Sequence, residues 1–174
     1  MHSRIAEVIQ LLEESRAILS AAVETVPVDD RGTRPGPDRW STAEVLDHLG
    51  KVEGSIAGLF STRIADARAN GLAAETDTSS VVDATRIERL KDRNTTIEAA
   101  GNAQPSTDVD WQTAWTTLHG TRAKLVAALA DGDGLAIGTL TLPHRIFGPM
   151  DFYQWVVFTA GHEQRHAAQI RSRR

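Results

Sequence analysis

Gly161-His162-Glu163-Gln164-Arg165-His166-Ala167-Ala168-Gln169-Ile170 is the stretch near the C-terminus from which the fold is read. Its two histidines stand four positions apart, so on a helix they project from one face about one turn apart. At that spacing two imidazoles converge on one divalent ion, with bonds of about 2.0–2.1 Å for zinc. The stripe Phe152, Trp155, Val156, Thr159, His162, His166, Ile170 keeps helical periodicity, which turns both histidines toward the packed face. One histidine on an apolar face is usually a satisfied core residue; two at ligand spacing point to a metal.

The chain upstream supplies helices for this one to pack against. Asp151 and Gln154, just after Pro149, form a capping box, which starts a fourth main helix running to about Arg171. Before it, Asp131-Gly132-Asp133-Gly134 ends a helix, and LAIGTLTLPHRIFGPM (135–150) alternates weakly, as a short extended piece would. The third main helix is expected from Ser106 or Asp108 to about Ala130, with the stripe Trp111, Trp115, Leu118, Arg122, Leu125, Leu129. The first spans Ser3–Val26, stopped by Pro27 and followed by a Pro-, Gly- and Asp-rich loop over 27–39. Ser41-Thr42-Ala43-Glu44 is a capping box with Trp40 as its hydrophobic staple. It opens a second helix carrying Val45, Leu46, Leu49, Val52, Ile56, Leu59, Phe60 and Ile64, with His48 on the buried arc. Residues 70–107 are rich in Ala, Thr, Asp and Ser and read as a lid or mobile insertion, with one short helix near Thr85–Arg93. Four amphipathic helices with a long crossover between the second and third describe an all-α four-helix bundle, a single domain over residues 1–174.

Composition bounds the function. A net charge of -4 leaves no basic footprint for nucleic acid, and the short Arg171, Arg173, Arg174 cluster suits a solvated helix end. No apolar run approaches the roughly 18 residues of a membrane span, and the N-terminus lacks an apolar signal core. The chain therefore reads as soluble and cytoplasmic, acting on small molecules. With no cysteine, disulfides, thiolate metal sites and a cysteine nucleophile are all excluded.

His162 to His166 also spells H-E-x-x-H, the zinc-protease pattern in which the glutamate is the base and a third ligand lies downstream. Only AAQIRSRR follows His166, with no side chain to complete such a site. The third ligand must come from upstream, and His48 is the candidate. Three histidines leave a coordination position open, as in catalytic sites, and imidazole donors suit zinc or nickel. Glu163 is the candidate general base, against an exposed carboxylate or a salt-bridged one. Gln169 is either a residue that orients a ligand imidazole or an ordinary helix-surface glutamine. His119 reads as a packing or surface histidine and His144 as a loop histidine able to swing toward the opening.

Trp40–Leu49 (W-S-x-x-E-V-L-x-H-L), Leu142–Met150 (L-P-H-x-x-F-G-P-M) and Gly161–Ile170 (G-H-E-x-x-H-x-x-Q-I) together resemble the DinB-like superfamily, which includes bacillithiol S-transferases and relatives of mycothiol-dependent maleylpyruvate isomerases. The resemblance covers roughly Ile5 to Ile170 and is poorest over 70–107. It implies a four-helix bundle with a metal held by His48, His162 and His166. It also implies a low-molecular-weight thiol as co-substrate and a homodimer. The expectation is a metal-dependent enzyme joining a small thiol to an electrophile. A hydrolase using metal-bound water, or a binding module without turnover, are the alternatives.

Overall fold

The computed structural model describes residues 1–91 and 101–172. Among these, the order is α1 (Ser3–Glu24), α2 (Thr42–Ala69), α3 (Ala84–Lys91), α4 (Trp111–Asp131), β1 (Thr141–His144), β2 (Gly148–Asp151) and α5 (Phe152–Arg171). The protein is mostly helical, which fits the all-α expectation, with one small antiparallel hairpin added. No described helix is long and apolar enough to cross a membrane.

The helix boundaries follow from the chain's own signals. Ser41 caps α2 by accepting from the Glu44 amide at 3.1 Å, while the Ser41 amide donates to the Glu44 carboxylate at 2.7 Å. Asp151 and Gln154 make the same reciprocal pair at α5, at 2.8 and 3.2 Å. α4 begins later than Ser106 or Asp108, because Asp108 takes a left-handed backbone (φ 54°) and Asp110 is the residue that caps, accepting from the Thr113 amide at 2.8 Å.

α1 lies along α5, and α2 lies along α4. Gly54 permits the second pairing to be close: a Cβ there would stand 3.1 Å from a Thr121 methyl. The core divides into two apolar clusters. One gathers Leu12, Ile56, Ala57, Phe60, Leu125, Phe152 and Ala160; the other gathers Leu19, Leu46, Leu49, Leu118, Ala167 and Ile170. Each fully buried Leu, Ile or Phe contributes about 1.5–3 kcal/mol by leaving water.

Between the clusters lies a charged layer to which each long helix gives one residue. Arg16 (α1), Glu53 (α2), Arg122 (α4) and Glu163 (α5) are all at most 6% exposed. Arg16 donates to Glu163 at 2.6 Å and Glu53 at 3.0 Å; Arg122 donates to Glu53 at 2.5 Å and Glu163 at 2.9 Å. Ser15 adds a 2.5 Å hydrogen bond to Glu163. Two cations and two anions cancel, which is what makes burial of all four tolerable. Burial holds the Glu53 carboxyl above its ordinary value against the pull of Arg122; burial likewise opposes the Arg122 charge, yet Glu163 and Glu53 hold that guanidinium above its ordinary value. Every carboxylate oxygen of the layer has a donor.

The stretch after α2 is tethered rather than free-standing. The Glu75 amide donates to Gly134 O and the Ala136 amide to Ala73 O, both at 2.9 Å, and Arg4 pairs with Glu75 and Asp77. α3, the short helix expected near Thr85–Arg93, packs on α5; positions 92 and 93 of that expectation lie outside the described residues, as do Arg173 and Arg174. The weak alternation before α5 becomes the β1–β2 hairpin, with Leu142 opposite Met150, both buried, and Pro143 opposite Pro149. Two prolines can face each other only where neither N–H is needed by the ladder. Gly148 closes the turn at φ 72°, a conformation that favours glycine.

Candidate metal centre

α2 and α5 bring His48, His162 and His166 together. Nε2 of His162 lies 3.2 Å from Nε2 of His48 and 3.1 Å from Nε2 of His166. Two nitrogens bound to one ion at about 2.0–2.1 Å stand about 3.3 Å apart at the tetrahedral angle and about 2.9 Å apart at a right angle. The observed separations fall between those limits.

The outer ring nitrogens fix which atoms face inward. Nδ1 of His48 lies 2.6 Å from the Ala103 carbonyl, an oxygen that can only accept, so that nitrogen carries the proton. Nδ1 of His166 lies 2.7 Å from Oε1 of Gln169 and donates in the same way. Both Nε2 atoms therefore present lone pairs toward His162. A proton on His162 Nε2 could bridge one of its two contacts, leaving the other as lone pair against lone pair. A cation shared by the three removes that repulsion, so the residues present fit an imidazole-preferring divalent ion.

The surroundings are dry. His48 and His166 are buried, and His162 retains some surface. Burial, then the neighbouring His166 and His48, hold the His162 imidazole well below its ordinary pKa; burial also lowers that of His48, against the opposing pull of Ala103. Both rings thus stay neutral, the form that ligates. Trp40, expected as a staple, stacks on His166 at 6.2 Å and meets His48 at 5.0 Å. Phe158 stacks on His162 at 5.4 Å.

Among the described residues, the donor atoms within 4.8 Å of one another belong to these three histidines alone. Glu163 is not in the group: its oxygens are directed to Ser15, Arg16 and Arg122. His119 is exposed and meets the edge of Trp115 at 4.7 Å, also outside the group. His144 ends β1 among Phe147, Trp155 and Phe158. Gln169 takes the orienting position expected of it. Sequence reasoning missed the Ala103 carbonyl, for which no side chain could signal. It also missed the roles of Arg16, Glu53 and Arg122, whose signal was present: each is a charge set at helical spacing among apolar residues.

Comparison with known proteins places the chain in a family. The profile of the DinB superfamily matches residues 11–170. An uncharacterized protein of Bacillus subtilis (strain 168), YuaE, is 27% identical over 139 residues, covering 79% of each chain. No solved structure matches significantly. With the profile covering most of the sequence, the three histidines included, the chain belongs to the DinB superfamily.

Proposed function

We propose that the protein binds a divalent metal ion, zinc or nickel, through His48, His162 and His166, and joins a low-molecular-weight thiol to a small electrophile there. The observation that carries this reading is the convergence of three Nε2 atoms, with no carboxylate or further histidine in the group among the described residues. Three ligands leave a position for an exogenous one. When bound, such an ion supplies Lewis-acid chemistry, lowering the pKa of a thiol or water that takes the open position.

The chain's own residues do the rest. The Ala103 carbonyl and Gln169 keep the lone pairs of His48 and His166 turned inward, while Trp40 and Phe158 limit water at the rings. Glu163 is best understood as a structural ion-pair partner rather than a base. A thiol is the better nucleophile there: its ordinary pKa, about 8.5, is far nearer neutrality than the 15.7 or so of water. The pairing of α1 with α5 and of α2 with α4 supports a four-helix bundle, with the chain between α2 and α4 as its long crossover. A cytoplasmic homodimer acting on a small-molecule substrate is the accompanying proposal.

Elemental analysis of tag-free protein beside the His48→Ala variant tests the metal. Near-stoichiometric zinc or nickel in the wild type, lost in the variant, is the expected result. A wild type that takes up neither ion overturns it. Thiol consumption with an electrophile, abolished by His162→Ala, then tests the reaction; metal without turnover would leave a binding protein.

A further inference from the structure

His48 is held from outside α2 as well as by it. Its Nδ1 donates to the Ala103 carbonyl at 2.6 Å, and Ala103 ends a short turn over Gly101–Ala103, in the connection between α2 and α4. Apolar burial does not account for the placement of this stretch: Ala103 is half-buried, and Gln104 and Ser106 are exposed. A carbonyl on so exposed a connection ordinarily turns to water. Its direction here has to be fixed by polar contacts.

Two side chains that flank His48 on α2 supply them. Lys51 Nζ donates to the Gln104 carbonyl at 2.8 Å and to Ser106 Oγ at 2.9 Å, and it pairs with Asp47 at 2.9 Å. An ammonium has three N–H donors, and each has an acceptor here. Asp47 in turn accepts from the Ser106 amide at 2.7 Å. Asp47 and Lys51 lie one turn apart on α2, so these two and the His48 ring between them all reach residues 103–106. The Ala103 carbonyl shares a peptide plane with the Gln104 nitrogen. Pinning the next carbonyl, and the amide two residues on, leaves that plane little freedom to turn. A single exposed ion pair holds little; these contacts act together because they share one short segment.

We propose that Asp47 and Lys51 are positioning residues of the histidine triad, clamping residues 103–106 so that the Ala103 carbonyl fixes the Nδ1–H tautomer of His48 and keeps its Nε2 lone pair turned to the other two histidines. The effect on metal binding rests on the triad being a metal centre; the hold on the His48 ring stands apart from that reading. The clamp makes the connection, and not α2 alone, part of what presents the ligand. A change at a surface lysine is thus felt at a buried nitrogen.

Long-range proton–nitrogen NMR of chelator-stripped protein, at a pH where the imidazole is neutral, reads the His48 tautomer, with its signals assigned by His48→Gln. The wild type is expected to show a protonated Nδ1 and a bare Nε2. Lys51→Met and Asp47→Ala should both move the two nitrogen shifts toward the average of the tautomers and weaken zinc binding about 10-fold. These substitutions change the charge beside the ring in opposite senses, so a shared effect comes from the clamp and not from charge. Lys51→Arg, which keeps the charge and the donors, should restore both readouts. A role confined to stability would lower the urea midpoint and leave the tautomer as it is. Mixed tautomers in the wild type, an unchanged tautomer in both variants, or a loss of zinc affinity with the tautomer intact overturns the inference. The NMR readout needs no metal, which keeps the two readings apart. Failure of zinc uptake with a clamp-dependent tautomer sinks the metal centre alone; zinc uptake with a tautomer indifferent to the clamp sinks this inference alone.

Discussion

Arg16 on α1 donates to Glu163 on α5 across 2.6 Å in the buried centre of the protein. Glu163 is the residue that the H-E-x-x-H spacing offers as a base, yet its neighbour His162 faces the triad while its own carboxylate faces the charged layer. One turn of helix therefore serves two sites: the histidines face α2, and the glutamate ties α5 to α1 and α4.

Glu163→Gln is expected to behave as a stability variant. Removing one charge leaves Arg16 and Arg122 undercompensated in the core, which costs about 3–5 kcal/mol when a buried pair is broken. Urea unfolding should show a lower midpoint with an unchanged slope, and the folded fraction should retain its metal stoichiometry. Full stability with lost thiol transfer would restore Glu163 as a base.

Gln169→Ala removes the acceptor for His166 Nδ1. Losing the partner of a ligand imidazole typically weakens metal binding about 10–100-fold. Competition with a chromophoric chelator measures this directly, and the variant should unfold at the wild-type urea midpoint because Gln169 lies outside the apolar clusters.

Acid should destabilise the fold through its helix caps. Burial raises the Glu44 pKa, but hydrogen bonds from Arg34 and the Ser41 amide outweigh it, and the Thr113 amide lowers that of Asp110. Both folded values lie below the ordinary 4.5 and 3.8. This stability is therefore complete above those values and lost as pH falls through the folded ones. Denaturation midpoints between neutral and acid pH should be flat at first and then drop, with Glu44→Gln showing a shallower drop.

Gly148→Ala should loosen the hairpin. A φ of 72° costs a side-chain-bearing residue roughly 1–2 kcal/mol. Hydrogen exchange at the β1–β2 amides should speed up while α5 keeps its protection. Equal loss across both would mean that the hairpin and α5 open as one unit.

The helices were legible because their signals are local. Two reciprocal capping pairs, Ser41 with Glu44 and Asp151 with Gln154, are written within four residues each, and the structure forms both. The hairpin was only half legible: Leu142 and Met150 share a face, but two strands this short owe their pairing to the Gly148 turn and the helices beneath. The charged layer was visible as Arg122 within an apolar stripe, but its partners were not. Four residues spread from Arg16 to Glu163 meet only when four helices fix a common depth.

What the sequence alone determined was the set of candidate ligands. A helix puts His162 and His166 on one face because residues four apart nearly superimpose around its axis, and periodicity puts His48 on a packed face. Only the tertiary structure decided that the three Nε2 atoms meet, that Ala103 and Gln169 hold their tautomers, and that Glu163 belongs to the core. Helical phase sets the direction of a side chain, whereas distance between helices depends on how whole faces pack, and no local pattern carries that information.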